Sequence, residues 1–212
     1  MIKIAFLFDK KNNWIANHFP AHLNTNHKFH IKKCYEEKDV RDFDLVFVLG
    51  YTRILKGEIL NSNKLLLVVH SSNLPEGRGF APMQWQILEG KNTIPICLLE
   101  VAERVDEGNV YLRSNIQLDG KELYEELRSK QAAATFDLIS QFLEKYPNCE
   151  AIKQVGYPSF YRRRKPDDSR LDLDKSIREQ FNLLRVCNNS DWPAFFEYDG
   201  AEYILKIERK LS

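Results

Sequence analysis

Residues Leu65 to Pro82 read LLLVVHSSNLPEGRGFAP. The five apolar residues Leu65 to Val69 form an unbroken run, the pattern of a strand buried on both faces of a parallel sheet. His70 ends the run, and Ser71, Ser72 and Asn73 lead into a loop punctuated by proline and glycine. Ligands of open α/β sheets gather beyond the carboxyl ends of the strands. An imidazole at that strand exit therefore marks the place to look for a site.

Working outward, the same kind of run recurs. Ile2 to Phe8, Lys28 to Cys34, Asp44 to Leu49 and Ile94 to Val101 read as further strands, with helical pieces at Trp14 to Leu23, Ile54 to Leu60 and Pro82 to Glu89. Such alternation predicts an α/β fold with an open, mostly parallel sheet flanked by helices. Val110 to Leu118 alternates as a strand. Asp119 to Glu122 then open the longest predicted helix, Lys121 to Lys145, with Asp119 and Glu122 placed as a capping box. Leu123, Leu127, Ala134, Leu138 and Phe142 recur at helical spacing and form its core face. Residues 151–212 change character: a basic and aromatic stretch, YPSFYRRRKPDDSRLD, a helix near Asp174 to Val186, and a hairpin of Ala194 to Tyr198 with Glu202 to Ile207, turned at Asp199 and Gly200. The expected organisation is a core over 1–150 and a small C-terminal lobe with a helix and a β-hairpin over 151–212.

Composition narrows the function. The 212 residues are 43% hydrophobic, enough for one well-buried core with an appended lobe. A net charge of +1, from 31 Lys and Arg against 30 Asp and Glu, supplies no global field toward polyanions, so nucleic acid is not an expected partner. No apolar run approaches the length of a membrane span, and MIKIAFLF passes into Asp9, Lys10 and Lys11 without a small-residue cleavage site. The expectation is a cytoplasmic protein with no membrane partner. Cys34, Cys97, Cys149 and Cys187 are scattered without a CxxC pair, which predicts free thiols. His18, His22, His27 and His30 cluster in sequence, but Pro20 and the surrounding Asn residues favour a solvated surface over a metal site. After the first strand, DKKNNW carries no glycine, so the dinucleotide fingerprint is absent and a nicotinamide or flavin enzyme is disfavoured.

HSSNLPEGRGFAP, followed later by VDEGNV around Asp106, resembles the folate-dependent formyltransferase family. That family's pattern is Asn-x-His-x-Ser-x-Leu-Pro-x-x-x-Gly with an Asp-x-Gly motif on a later loop. The similarity extends upstream through DLVFVLGYTRILKGEIL, which is similar to the strand and loop of the family's folate pocket. Downstream, YRRRKPDDSRLD resembles the tail of formyltransferases that act on nucleotide-linked amino sugars. The resemblance implies a Rossmann-like formyltransferase core over 1–150, a lobe over 151–212 contributing to substrate binding, 10-formyltetrahydrofolate as co-substrate, and no metal. Attack of a neutral amine on the formyl carbon gives a tetrahedral centre that needs a donor to its oxyanion and a base for its nitrogen. In the family's terms His70 stabilises the oxyanion or relays the proton, while Asp106 orients His70 or takes the proton. The family's Asn is Val68 here. Asn73, at a position usually apolar in the family, is the candidate to replace that amide donor in catalysis.

The resemblance also places cofactor binding on Tyr51, Arg53, Ile54 and Leu55 after the third strand and on Glu100, Val101 and Val105 before Asp106. Arg78 is the candidate bidentate donor to the folate glutamate or a substrate phosphate. Fold position brings Lys10, Lys11, Asn12, Asn13 and Trp14 to the exit of the first strand, making Lys10 and Trp14 candidates for substrate binding, the latter by stacking. Tyr161, Arg162 and Arg163, beside Tyr157 and Phe160, combine an aromatic face with guanidinium groups suited to the base and diphosphate of a nucleotide sugar. The implied activity is formyl transfer to the primary amine of a nucleotide-linked amino-deoxy sugar of the pseudaminic-acid type, such as UDP-4-amino-4,6-dideoxy-N-acetyl-altrosamine, for surface glycans. Two other readings stand beside it: a formyltetrahydrofolate hydrolase, with water replacing the amine, and a non-enzymatic nucleotide-binding module, which the loss of Asn at Val68 encourages. An edge strand or the C-terminal hairpin offers an interface for a homodimer.

Overall fold

In the computed structural model, residues 1–10, 14–24, 28–55 and 57–210 are described. The chain forms β1 (Ile2–Phe8), a 3-10 turn (Trp14–His18), α1 (Ala21–Asn24), β2 (Phe29–Cys34), a second 3-10 turn (Glu37–Asp39), β3 (Leu45–Leu49), α2 (Glu58–Asn61) and β4 (Leu65–His70). There follow β5 (Arg78–Gly79), α3 (Pro82–Leu88), β6 (Thr93–Glu100), β7 (Val110–Gln117), α4 (Tyr124–Lys145), β8 (Phe160–Tyr161), a third 3-10 turn (Pro166–Ser169), α5 (Phe181–Val186), β9 (Ala194–Tyr198) and β10 (Ala201–Leu205).

The main sheet has the order β2-β1-β3-β4-β6-β7. Its first four strands run parallel, β6 runs antiparallel to β4, and β7 antiparallel to β6. The sheet is therefore mostly parallel, and its apolar runs have a direct cause. Ile4, Phe6 and Phe8 point to the face covered by α4, where they meet Phe136, Ile139 and Phe142. The alternate residues Ala5 and Leu7 point to the other face, with Val46, Val48, Leu55 and Ile59. With both faces buried, polar residues are confined to the ends of the central strands, as Lys3 in β1 and His70 in β4 show. The chain passes from β1 outward to β2 and then crosses to β3 on the other side. This places a topological switch point between the carboxyl ends of β1 and β3, where ligands of such sheets bind.

Three helix boundaries differ from the sequence reading. The long helix begins at Tyr124, not Lys121, because Glu122 accepts bonds from the amides of Asp119 and Gly120 in a turn that precedes the helix. Glu126 then closes on the amide of Leu123 at 2.8 Å. The helix expected over 54–60 is the single turn α2, which starts after Gly57 in a left-handed conformation (φ 69°). The helix expected near Asp174 to Val186 shrinks to α5. Upstream of it, the Gln180 carboxamide bonds the backbone of Asp172 and Lys175, and Ser176 bonds Glu179, so side chains satisfy backbone groups that a helix would have used.

The segment after residue 150 runs back over the core. Ile152 and Val110 exchange backbone bonds at 2.8 and 2.9 Å, and β8 pairs in parallel with β5. Farther along, α5 drives Arg185 under the core against Glu122, while β9 and β10 form a separate antiparallel hairpin. No described helix is long and apolar enough to cross a membrane. All four cysteines are free, and burial pushes the Cys97 thiol up to about 12, so it stays protonated. His27 lies outside the described residues, and no three His, Cys, Asp or Glu side chains come together among the described ones.

Candidate active site

His70 is the last residue of β4, paired with Cys97 on β6, and only 7% exposed. Its Nε2 lies 2.8 Å from the carbonyl oxygen of Gly77. A carbonyl only accepts, so Nε2 carries a proton and donates it there. Nδ1 then faces the Asp106 Oδ1 at 3.5 Å, an ion-pair distance longer than a good hydrogen bond. The other carboxylate oxygen accepts the Gly79 amide at 2.8 Å. Asp106 itself takes a left-handed backbone conformation (φ 58°), which costs a non-glycine residue energy and persists where the surroundings enforce it.

Two glycines make this closeness possible. A Cβ on Gly79 would lie 2.4 Å from the Tyr161 carbonyl oxygen, so only glycine lets β8 pair against that loop. At Gly108 a Cβ would lie 1.9 Å from the Glu100 carbonyl oxygen, so only glycine lets the 106–108 turn close on β6. The Asp-x-Gly motif is thus a packing requirement as well as a chemical one.

The amide question resolves differently from the expectation. Val68 packs with Leu74, Cys97, Leu99 and Val110, making the wall below His70 apolar. Asn73 is exposed, and its Oδ1 accepts a bond from Arg113 on β7 at 3.0 Å while the same guanidinium binds the Leu74 carbonyl at 2.8 Å. The structure brings His70 and Asp106 together and turns Asn73 toward a strand two positions away. There it anchors the loop. The Ser72 hydroxyl, by contrast, is buried with no hydrogen-bond partner among the described residues.

Arg78 also departs from its expected role. It is 9% exposed, and its two terminal nitrogens bond Glu107 at 2.7 Å and the Gln154 side-chain oxygen at 2.8 Å, while its buried Nε has no partner among the described residues. Glu100 is likewise engaged, accepting from Tyr111 at 3.0 Å and Asn109 at 3.1 Å. Tyr51 and Val101 pack on one cluster with buried Leu55, which joins the loop after β3 to the end of β6. Burial and the bond to Glu37 push the Tyr51 hydroxyl well above its ordinary range, so it stays a neutral donor. Arg53 lies 4.8 Å from the centre of the Tyr51 ring, and Ile54 and Val105 stand exposed on their loops. Asp9, at the end of β1, accepts both the amide and the hydroxyl of Thr52, tying this loop to the switch point.

Of the residues expected to bind substrate, Lys11, Asn12 and Asn13 lie outside the described residues. Lys10 pairs with Glu36 at the surface. Trp14, partly buried, packs on the α4 side of the core with the Arg128 guanidinium over its ring at 4.4 Å. Tyr161 stacks on Trp85 at 6.4 Å and donates its hydroxyl to Glu89. Arg162 is held bidentate by Asp168 at 2.6 and 2.5 Å, and that bond holds the Asp168 carboxyl at about 2. Arg163 differs. It lies over Phe80 at 4.2 Å and donates to the Thr52 carbonyl at 3.0 Å, with no carboxylate beside it among the described residues.

The open α/β sheet thus carries a His–Asp pair between two glycine-bearing loops at its carboxyl end. The chain belongs to the formyl transferase family, whose model matches residues 4–143, and that family uses formyl-tetrahydrofolate. Among its relatives is the bifunctional polymyxin resistance protein ArnA of Wigglesworthia glossinidia brevipalpis, 26% identical over 80% of this chain and 26% of its own. The chain spans from about a quarter to about half the length of such curated relatives. Similar solved structures include a methionyl-tRNA formyltransferase from Clostridium thermocellum (TM-score 0.84, 20% identity, 99% of this chain and 94% of that one). A 4-N formyltransferase from Francisella tularensis also matches (TM-score 0.73, 16% identity, 100% and 99%), as does HypX from Aquifex aeolicus in complex with tetrahydrofolic acid (TM-score 0.74, 16% identity, 96% and 37%).

Sequence reasoning missed Gln154 and Ser159. Gln154 donates to the carbonyls of Asp106 at 2.7 Å and Gly108 at 2.8 Å, and the Ser159 hydroxyl accepts the Gly77 amide at 2.8 Å. Neither stands in a motif, and no periodicity marks them. Only the parallel pairing of β8 with β5 brings them to the site.

Proposed function

We propose that the chain transfers the formyl group of 10-formyltetrahydrofolate to the primary amine of a nucleotide-linked amino-deoxy sugar. The observation that carries this reading is the convergence of His70 and Asp106 at 3.5 Å beyond the carboxyl end of the sheet, within the two motif loops. In the reaction the amine nitrogen bonds the formyl carbon, the bond from that carbon to the folate N10 breaks, and the proton lost by the amine ends on N10. The imidazole's N–H is spent on Gly77, which favours a relay over an oxyanion donor. A proton arriving at Nδ1 meets the Asp106 carboxylate, which stabilises it there until it is passed on. Apolar side chains at Tyr51, Ile54, Val101 and Val105 suit a flat pterin ring, and Leu55 backs them from the core.

The acceptor is read from charge. Polyanionic RNA is held by several Lys and Arg side chains on phosphates. In the run Arg162 to Arg164, Arg162 is neutralised by Asp168, and Arg164 donates to the Asp168 carbonyl and to Ser169. Arg163, exposed and with no carboxylate beside it among the described residues, lies over Phe80, a pairing of cation and ring suited to one small phosphorylated acceptor. Within that class we favour a pseudaminic-acid-type amino sugar such as UDP-4-amino-4,6-dideoxy-N-acetyl-altrosamine.

The test incubates the protein and 10-formyltetrahydrofolate with nucleotide-linked amino sugars, with methionyl-tRNA, or with no acceptor, and reads products by mass. A gain of one formyl unit on a sugar supports the proposal. Formylated methionyl-tRNA with unchanged sugars moves the acceptor to RNA, formate released without acceptor makes the protein a hydrolase, and no turnover in any arm leaves a binding module.

A further inference from the structure

The residues matched by the family model end at 143, yet the His–Asp pair is gripped from outside that range. The strap from Ile152 to Tyr161 touches both sides of the pair. On the His70 side, the Ser159 hydroxyl holds the Gly77 amide and the Ser159 carbonyl accepts the Arg78 amide at 2.9 Å, fixing the loop whose carbonyl orients the imidazole. On the Asp106 side, the Gln154 carboxamide donates to the carbonyls that flank Glu107, while its oxygen accepts Arg78 and Arg78 reaches on to Glu107.

We infer that Gln154 is a positioning residue that holds Asp106 at its distance from His70. The inference rests on the proposal that this pair does the chemistry. Its basis is chemical as well as geometric. The position asks one side chain to donate two hydrogens to carbonyls and accept one from a guanidinium, and a glutamine carboxamide does all three. A glutamate would keep Arg78 but set a carboxylate oxygen against two carbonyl oxygens. Asp106 stays in a left-handed conformation, which needs enforcement. Two bonds to the turn that carries it supply that enforcement, and Arg78, buried with its Nε unpartnered, is committed to the same network.

The Gly79 amide reports the outcome, because it donates to the Asp106 carboxylate and a displaced carboxylate releases it. The experiment compares ¹H–¹⁵N spectra and amide exchange of the full chain with those of Gln154→Ala, Gln154→Glu and the exposed control Val155→Ala. Expected are an upfield shift of the Gly79 amide and about tenfold faster exchange, the worth of one hydrogen bond. The amides of Val110 and Ile152, which pair the strap to β7, stay as they were. Formyl transfer by Gln154→Ala falls about a hundredfold in kcat with KM for 10-formyltetrahydrofolate little changed, the signature of misplacement without lost binding.

An unmoved Gly79 amide overturns the inference. Loss of the Val110 and Ile152 signals together with Gly79 also overturns it, since Gln154 would then merely tie the strap down. So does a displaced Gly79 with full turnover. Should the wild-type protein formylate no acceptor, the proposed function fails while the Gly79 comparison still decides the role of Gln154.

Discussion

The molecule contains two buried acid–base pairs that behave in opposite ways. Glu122 and Arg185 are 4% and 1% exposed and 3.2 Å apart. Glu122 also accepts from Lys130 at 2.6 Å and from two backbone amides, while Arg185 reaches Asn182 and Asn92. Burial pushes the Glu122 carboxyl up, but the bonds from Lys130 and the amides outweigh it and hold the group at about 2. His70 and Asp106, their side chains each 8% exposed, meet at 3.5 Å with one carboxylate oxygen bonded to an amide and the other facing the ring. A saturated pair locks α5 to the start of α4. In the other pair the carboxylate oxygen that faces the ring has no second partner among the described residues, which under the proposed function leaves it to chemistry rather than to stability.

Substitutions can break the contrast, and the largest effect belongs to the unsaturated pair. His70→Ala and Asp106→Asn should lower formyl transfer by about 10²- to 10⁴-fold, measured by mass of the formylated product, with urea midpoints near wild type. Arg185→Ala should do the reverse, costing about 3–5 kcal/mol of stability in urea unfolding while the folded fraction keeps its turnover.

Acid sharpens the same division. The Glu122 and Asp168 carboxyls both titrate near 2 in the folded protein, below the unfolded value of roughly 4. Their stabilisation is therefore complete above about pH 5 and is lost as the pH falls toward 2. Urea midpoints across that window should drop, and Glu122→Gln should flatten the curve.

Smaller effects follow at the substrate side. Arg163→Ala should raise KM for a phosphorylated acceptor about tenfold, the worth of a hydrogen bond to a charged group, with kcat nearly unchanged. Arg162→Ala should change KM much less, because Asp168 already holds that guanidinium. Smallest of all, Asn73→Ala should leave turnover within about twofold and cost about 1 kcal/mol or less. A large loss of turnover there would restore Asn73 to the site.

Much of this was legible in the residues. The apolar runs at Ile2–Phe8 and Leu65–Val69 reveal doubly covered strands, and it was the resemblance of two motifs to a family that paired His70 with the Asp106–Gly108 turn. The role of Arg78 could not be read. A guanidinium between two glycines reads as a free anion donor, and its actual partners, 29 and 76 residues away, were brought in by the turn after β6 and by the strap. Nor does anything near Trp14 in sequence announce Arg128 across its ring. The helix starts moved because Glu122 and Gln180 satisfied backbone groups that propensity alone would have given to a helix.

By itself the sequence determined where the strands lie and that a histidine ends one of them while an Asp-x-Gly turn follows another, because strand burial and the demands of tight glycine turns act locally on residue type. Tertiary structure alone decided how each polar group is spent: which arginine is paired with a carboxylate, where Asn73 points, and that Gln154 reaches the turn carrying Asp106. A hydrogen bond selects its partner by distance and angle in space, and those are set only when distant segments have packed.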